Sequence, residues 1–155
     1  MAEFNIESLA GMSPTELARL VKRTPHATLT QAMRGEHRQP ILDSIFNSMP
    51  TIFRPDRAGS TSTVIHWQIT GRPDGEIDRY QIAIGNGTCT STPLPDPSGV
   101  VLEPRLTITL GGVELLQLIA GTTNPAMMFM MGKIKAKGDI SLAASFPNLF
   151  DMPRV

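Results

Sequence analysis

The chain has 155 residues, of which 41% are hydrophobic and 18% are charged, a composition that fits one folded domain and argues against a disordered chain. Its 14 lysine and arginine residues balance 14 aspartate and glutamate residues, which argues against a protein built to bind nucleic acid. Cys89 is the only cysteine, so no disulfide can form within the chain. With no secretion signal and no apolar stretch long enough to span a bilayer, we expect a cytoplasmic protein.

The first fifty residues predict three helices. A serine-proline-threonine-glutamate capping box begins at Ser13, with proline at the first helical position. A second short helix is expected after Pro25. A third is expected from near Pro40, because apolar side chains recur on one helical face as far as Met49. Residues 54–59 are rich in proline, aspartate and glycine, which predicts a turn-rich connector.

From Ile65 onward the period of the apolar residues changes from 3.6 to 2. Ile65, Trp67 and Ile69 alternate with polar residues, as in a half-buried strand. A second alternating strand leads to Asn86 and Gly87, which predict a tight hairpin into a third strand. A loop with three prolines follows and is too stiff for a hairpin. We therefore expect the chain to cross over to a fourth strand, in which leucine and isoleucine alternate with arginine and threonine.

The last third of the chain combines apolar helices with one short strand. Residues 113–120 predict a helix that is buried around most of its circumference, since only two of them are polar. A methionine-rich helix is expected to begin at a cap formed by Asn124, followed by a lysine-rich strand at residues 133–137 and a last helix capped by Asp139. Strands in series with segregated helices indicate an α+β domain with a single five-stranded sheet.

The sequence contains no recognisable catalytic or metal-binding motif. His26, His37 and His66 lack the spacing of a zinc site, and no nucleophile motif surrounds Cys89. We therefore predict no catalytic residue, no metal site and no cofactor, and a chain that is not an enzyme. The alternative of catalysis inside the domain leaves Cys89, His66 and Glu114 as the polar groups to test.

Four methionines around Phe129 are the most unusual local feature, because all of them lie within five residues. Methionine side chains are flexible and polarizable, so they adapt to apolar surfaces of varied shape. A helix with methionine on every side cannot place all of them in one close-packed core, which favours contact with an adaptable ligand. An ordinary core helix is the alternative, and the residues alone do not decide between the two. The same choice, core or flap over a cavity, applies to Phe146, Leu149 and Phe150.

Lys133, Lys135 and Lys137 alternate along the predicted fifth strand and share one face. In one interpretation they attract anionic lipid head groups at a membrane surface. In the other they form a solvated face that protects an edge strand from pairing with another chain. We favour the second interpretation.

Residues 130–139, with the sequence MMGKIKAKGD, together with Leu142 and the later Leu149 and Phe150, resemble the sterol carrier protein type 2 family of non-specific lipid-transfer domains. The strand around Trp67 and the fourth strand with its following helix are similar as well, so the resemblance covers residues 41–150. It implies a five-stranded sheet covered by helices on one side, with an apolar tunnel. It also implies a lipid-binding domain at residues 41–155, preceded by an N-terminal helical extension at residues 1–40 that is typical of a bacterial stand-alone member.

The resemblance further implies that the chain binds, and transfers or presents, a fatty acid, acyl-CoA, sterol-like molecule or other lipid. Family cavities are lined by apolar side chains and shielded by the C-terminal helix, and the candidates for ligand contact here are Ile65, Trp67, Ile69, Leu106, Ile108, Leu115, Leu116, Ile119, Met127, Met128, Met130, Met131, Phe146, Leu149 and Phe150. The expected partners are an apolar small molecule and, transiently, a membrane, but not nucleic acid. The alternative function is a non-catalytic assembly module, whose N-terminal helices bind a second copy or a lipid-metabolising enzyme.

Overall fold

Four helices precede the first strand and three follow the fourth strand, in a computed structural model that describes residues 13–94, 101–121 and 125–151. The helices are α1 (Pro14–Arg23), α2 (His26–Arg34), α3 (Arg38–Ser48), α4 (Pro55–Ala58), α5 (Gly112–Ala120), α6 (Pro125–Met130) and α7 (Ile140–Ser145). Short 3₁₀ helices span Met49–Ile52 and Phe146–Leu149. The strands are β1 (Thr63–Thr70), β2 (Asp78–Gly85), β3 (Thr88–Leu94), β4 (Leu106–Gly111) and β5 (Ile134–Gly138).

The N-terminal helices begin where the sequence predicts them, with one shift. Ser13 caps α1 by accepting a hydrogen bond from the backbone N–H of Glu16 at 3.2 Å. Helix α3 begins at Arg38, two residues before the expected position. Pro40 therefore lies in the first helical turn, where the backbone N–H that proline lacks has no partner within the helix in any case.

The connector at residues 54–59 is more regular than predicted, because part of it forms the short helix α4. Pro55 occupies the first position of α4, and Gly59 ends it with a φ of 56°. Proline at the start and glycine at the end suit a single helical turn as well as they suit a loop. The prediction of a turn-rich connector therefore missed the helical turn that Pro55–Ala58 form.

The five strands form one sheet in the order β3-β2-β1-β4-β5. All neighbouring strands are antiparallel except β1 and β4, which are parallel. The predicted crossover after the third strand is therefore confirmed, since parallel neighbours cannot be joined by a tight hairpin. The predicted hairpin between β2 and β3 is confirmed as well: Asn86 and Gly87 have φ angles of 53° and 72°, as a tight two-residue turn requires.

Helix α5 lies between two layers of the molecule. It packs against β1 and β4 on one side and against α1 and α2 on the other. Its apolar side chains are buried, and they share one hydrophobic core with residues as distant in sequence as Leu17 of α1 and Ile108 of β4. Residues 13–40 therefore enlarge the main core instead of building a separate one. The boundary at residue 40 between an extension and a lipid-binding domain stays a prediction.

A buried arginine, which the sequence did not reveal, joins the helical layer to the sheet. Arg38 is only 5% exposed, and its Nε donates to a carboxylate oxygen of Asp78 at 2.8 Å. Its other guanidinium nitrogens donate to the backbone carbonyls of Met33, Ile69 and Thr70 at 2.9–3.1 Å. All of the guanidinium nitrogens are thus bonded, which is the condition under which a buried charge is tolerated.

The C-terminal segment returns to the middle of the chain. The side chain of Asp139 caps α7 by accepting from the backbone N–H of Leu142 at 3.1 Å, as predicted. After the 3₁₀ helix that follows α7, Phe150 pairs with Phe53 in an isolated β-bridge. Two backbone hydrogen bonds flank this bridge, from Arg54 to Leu149 at 2.8 Å and from Asp151 to Ile52 at 2.7 Å.

Two further sequence predictions concern the helices of the last third. The cap predicted at Asn124 falls on a residue outside the described ranges. In the described parts of the chain, none of the helices is both long enough and apolar enough to cross a membrane.

Candidate functional site

The inner face of β1 and β4 forms a continuous apolar wall. Ile65 pairs with Leu106 and Trp67 pairs with Ile108 in the parallel register, so these four side chains share one face of the sheet. All of them are at most 2% exposed. The alternation seen in the sequence thus places the predicted ligand-contacting residues of both strands side by side.

Trp67 lies at the centre of this wall, between two aromatic rings that come from the helices. The ring of Phe146 meets the indole edge-on at a centroid distance of 5.3 Å, and the ring of Phe46 does so at 5.9 Å. The indole Nε1 is buried and has no hydrogen-bond partner among the described residues. A buried donor without a partner costs about 1–3 kcal/mol, so this N–H is a polar group that an oxygen atom brought in by a ligand would satisfy.

Phe146, Leu149 and Phe150 cover the wall from the C-terminal side. They are buried, at 5%, 8% and 2% exposure. Phe150 is held by a ring contact with Phe53 at 5.8 Å in addition to the β-bridge. The cover is therefore attached at two points: the backbone N–H of Asp139 donates to the carbonyl of Arg105 at 2.9 Å, and Phe150 forms the bridge with Phe53. The segment between them rests mainly on side-chain packing.

Helix α5 and the methionine cluster contribute unequally to this interior. Leu115, Leu116 and Ile119 are buried in the same core as the wall, and so is Met128, which is 0% exposed. In contrast, Met127, Met130 and Met131 are exposed, at 53%, 86% and 60%. The structure brings all but these three of the predicted ligand-contacting residues together in one apolar core. Ligand contact itself stays a prediction for the whole set.

A polar groove of about 430 Å³ lies outside this core, and the sequence did not predict it. It is lined by residues of α2, the start of α5 and the start of the β5 region, among them His26, Arg34, Glu114 and Lys133. A Cβ added to Gly111 would lie 2.9 Å from a carboxylate oxygen of Glu114, so this side chain folds back over the first turn of α5. The N-terminal end of the helix thus already has an anionic side chain of its own.

The three polar groups that the sequence left as catalytic suspects are not brought together. Cys89 pairs with Ile84 and faces the inner side of the sheet, whereas His66 pairs with Gln81 on the outer side. The Nε2 atom of His66 lies 3.0 Å from Oε1 of Gln81. Glu114 lines the polar groove.

Burial raises the pKa of the Cys89 thiol to about 11, so this side chain is protonated near neutral pH and is a poor nucleophile. Within residues 13–94, 101–121 and 125–151, no group of three or more histidine, cysteine, aspartate or glutamate side chains is placed to hold a metal ion.

Comparison with known proteins places the sheet and its cover in a known family. The profile of the SCP-2 sterol transfer family matches residues 49–151. Sterol carrier protein 2 of Bos taurus is 28% identical over 86 residues, which are 56% of this chain and 15% of the bovine protein. The chain thus matches only a small part of the length of this curated relative.

Two solved structures share the fold. Sterol carrier protein 2-like 2 from Aedes aegypti superposes with a TM-score of 0.53 at 19% identity, over 73% of this chain and 95% of that one. A stereoselective inverting sec-alkylsulfatase from Pseudomonas sp. superposes with a TM-score of 0.58 at 20% identity, over 71% of this chain but only 16% of the sulfatase. The five-stranded sheet and its covering helices therefore also occur as one part of a larger enzyme.

Proposed function

We propose that this chain, which belongs to the SCP-2 sterol transfer family, binds one apolar molecule between the inner face of its sheet and the helices that cover that face. The ligand classes that fit are a fatty acid, an acyl-CoA, a sterol-like molecule or another lipid. The observation that carries the proposal is the apolar wall of β1 and β4, which is closed by the C-terminal cover of Phe146, Leu149 and Phe150. The tunnel that the resemblance implies would lie between these two surfaces.

The binding energy would come from apolar area. Each methylene group removed from water contributes about 0.8 kcal/mol, so a chain of sixteen carbons contributes up to about 13 kcal/mol before entropy losses, which reduce the figure substantially. Selectivity among chain lengths would be weak, because one methylene group discriminates little. The unpaired Nε1 of Trp67 would add a preference for ligands with an oxygen that reaches the wall.

Access to the interior would come from movement of the C-terminal cover. The wall is closed in the structure, since its residues are almost fully buried. The segment between Asp139 and Phe150 has fixed attachments at its two ends and packing contacts in between, including the ring contact of Phe146 with Trp67. Displacing α7 and its 3₁₀ helix would uncover Trp67 without breaking any pairing between strands.

The experiment uses Trp67 as the reporter, because it is the only tryptophan in the chain. Titration with a fluorescent fatty acid should quench the indole emission by energy transfer, and unlabelled oleate should restore it. Trp67→Phe is the matched control: it should abolish the indole signal but leave direct binding of the probe measurable. Native mass spectrometry of freshly purified protein should show a lipid adduct. A bare mass combined with no probe binding at any concentration would overturn the proposal.

We further propose that binding is not followed by catalysis. The protonated thiol of Cys89 and the placement of His66 on the opposite face of the sheet support this view. Hydrolysis of an ester, an acyl-CoA or an alkyl sulfate by the purified chain, above the rate in buffer, would contradict it. A cytoplasmic location is part of the same proposal and is tested by cell fractionation.

The alternative of a docking module built on the N-terminal helices has less support. The apolar side chains Leu17, Ala18, Leu20 and Val21 of α1 are buried, and α1 packs against α5. The exposed positions of this helix carry threonine, glutamate, arginine and lysine. Size-exclusion chromatography with light scattering would detect a second copy bound through these helices.

A further inference from the structure

Three exposed methionines form a stripe on one side of α6. Met127 and Met130 lie in α6, and Met131 follows its last residue. The backbone N–H of Met131 donates to the carbonyl of Met127 at 2.9 Å, so the helical turn continues and the three side chains, at positions i, i+3 and i+4, share one face. They are 53%, 86% and 60% exposed, while Met128 on the other side is fully buried and anchors the helix to the core. Monomeric proteins seldom expose a contiguous group of large apolar side chains without a partner for it.

The turn after α6 fixes this stripe relative to β5. The backbone N–H of Lys133 donates to the carbonyl of Met128 at 2.9 Å, and that of Gly132 donates to the carbonyl of Phe129 at 3.1 Å. Gly132 has a φ of 74°, so the two bonds form the Schellman motif that ends many helices. The methionine stripe and the first residue of the lysine-rich strand are therefore joined by a defined turn and not by a loose loop.

Positive charge is concentrated directly after the stripe. Three of the four lysines in the chain are Lys133, Lys135 and Lys137, and all three are exposed. They alternate with the buried Ile134 and the half-buried Ala136 on β5, which is an edge strand of the sheet. No aspartate or glutamate occurs between residues 125 and 138. In a chain with a formal net charge of zero, this segment thus has an excess of cations next to exposed apolar side chains, with Glu114 lining the same polar groove as Lys133.

We propose that Met127, Met130, Met131, Lys133, Lys135 and Lys137, which we call the Met-Lys surface, dock the protein on an anionic lipid bilayer. The methionines would enter the boundary between head groups and acyl chains, and the lysines would pair with lipid phosphates and carboxylates. The proposal assigns a surface to the transient membrane contact that the family resemblance implies, and it takes the lysines as head-group contacts instead of a solvated edge. It rests on the proposed function, because a docked protein would receive or release its apolar ligand there.

The side chains on this surface favour a bilayer over a protein partner. Protein interfaces are enriched in aromatic residues, arginine and methionine and depleted in lysine. The Met-Lys surface shares methionine with such interfaces, but it contains three lysines and no arginine or aromatic residue. Long, flexible methionine and lysine side chains suit a fluid surface, which presents no fixed shape to match.

The position of the surface also fits the proposed access route. Strand β5 begins at the Met-Lys surface and ends at Gly138, and the Asp139 cap of α7 follows directly. Helix α7 packs against β4 and β5 and carries the cover that lies over Trp67. A bilayer bound at β5 would therefore be connected to the cover through a single strand.

The test is co-sedimentation of the full chain with vesicles of phosphatidylcholine, with and without about 30% phosphatidylserine. The wild-type chain should bind the anionic vesicles at low salt, and binding should weaken as salt screens the lysines. Replacing Met130 and Met131 together by glutamate should weaken binding at least tenfold. Lys135→Glu should reduce the preference for phosphatidylserine about threefold or more.

Matched controls separate the surface from general effects of added charge. Val101→Glu changes an apolar residue that is 58% exposed elsewhere on the chain, and Arg79→Glu reverses an exposed cation on β2. Both should bind vesicles like the wild type, and circular dichroism should show all variants folded. Equal binding by the methionine variant, or an equal loss in Val101→Glu, would overturn the docking surface.

A second measurement distinguishes this proposal from the proposed function. Each variant is also titrated with the fluorescent fatty acid in the absence of vesicles. If the wild type binds the probe but no vesicle, the docking surface is wrong and the proposed function stands. If it binds vesicles but no probe, the proposed function fails and the docking surface persists without its role in ligand transfer. If the methionine variant loses the probe but keeps the vesicles, the methionines line the ligand site and the docking surface is wrong.

Discussion

Helices α5 and α6 are both strongly apolar in sequence, yet they occupy opposite kinds of position. Helix α5 lies between the sheet and α1 and α2, and most of its side chains are buried. Helix α6 buries Met128 but exposes Met127 and Met130. The difference lies not in composition but in the number of layers around each helix. α5 has an outer layer supplied by residues 13–40, while the exposed side of α6 has no protein layer over it among the described residues.

The comparison assigns different roles to two segments that look alike in a hydropathy profile. A helix covered on both sides contributes to stability, because each of its side chains removes apolar area from water. A helix covered on one side leaves a face open to solvent, and the proposed docking surface uses this face of α6 for binding. Changes in the α5 layer should therefore alter folding, and changes in the exposed face of α6 should alter contacts with other molecules but not folding.

The largest effect should come from the residue that ties the outer layer to the sheet. Arg38→Met removes one of the two arginine partners of the largely buried Asp78 and four hydrogen bonds, and should lower the free energy of unfolding by about 3–5 kcal/mol. Arg72, which also contacts Asp78 at 3.2 Å, should keep the loss from exceeding this range. Urea denaturation followed by circular dichroism measures it. Arg79→Met, at an exposed position, is the control, and a loss below about 1 kcal/mol for Arg38→Met would contradict the assigned role.

A direct comparison of the two helices gives the next largest effect. Leu116→Ala in α5 deletes buried side-chain volume at a position that is 0% exposed, and should cost about 2–5 kcal/mol. Met130→Ala in α6 changes a side chain that is 86% exposed, and should stay within about 0.5 kcal/mol of the wild type. Thermal and urea unfolding of both variants measure the difference. Similar losses in the two variants would show that α6 is as fully packed as α5.

The two glycines that bound β5 should differ in a similar way. Gly132→Ala adds a Cβ that meets no atom within 4 Å, so only the left-handed φ of 74° opposes it, at about 1–2 kcal/mol. Gly138→Ala should cost more, because its Cβ would collide with the backbone carbonyl oxygen of Arg105 and its φ is 112°. Unfolding midpoints rank the two. Vesicle binding should fall in Gly132→Ala, because the turn at Gly132 orients the methionine stripe. Unchanged binding would show that the stripe acts without the turn.

The strands and their inner faces could be predicted from the sequence because their signals are local. A period of two at Ile65, Trp67 and Ile69 specifies both a strand and its buried side, and the turn at Asn86 and Gly87 specifies the hairpin. The burial of Arg38 could not be predicted, because three of its four partners lie 31 to 40 residues away and only the fold brings them close.

The candidate site likewise has one part that local sequence patterns predicted and another part that depends on the fold. The apolar residues of β1, β4 and α5 were predicted as one group, and the structure places them in one core. The methionines were treated as one group too, since nothing in their local pattern separates Met128 from Met127 and Met130. What separates them is the position of α6 at the periphery, which depends on how the whole chain packs. Whether any of these residues contacts a ligand is decided by experiment.

The smallest effect concerns Cys89. Its side chain is half-buried, so its exposure lies between that of the buried residues of α5 and that of the exposed methionines of α6. Burial raises the pKa of its thiol to about 11, whereas an exposed thiol in the unfolded chain titrates near 8.5. A folded-state pKa above the unfolded value means that the thiol contributes stability fully below about pH 8.5, and that this contribution is lost as the pH rises towards 11. Partial solvent exposure keeps the loss small. Tyr80, whose pKa burial also raises, acts in the same direction.

Cys89→Ala separates the two groups, because it removes the thiol and retains Tyr80. The wild type should lose more stability than Cys89→Ala between pH 8.5 and pH 11, measured by urea unfolding at fixed ionic strength. The thiol should also react with an alkylating reagent at pH 8 far more slowly than a free cysteine, since its thiolate fraction is smaller by about two orders of magnitude. Equal pH profiles for the two proteins, combined with rapid alkylation, would show that the side chain of Cys89 is open to solvent.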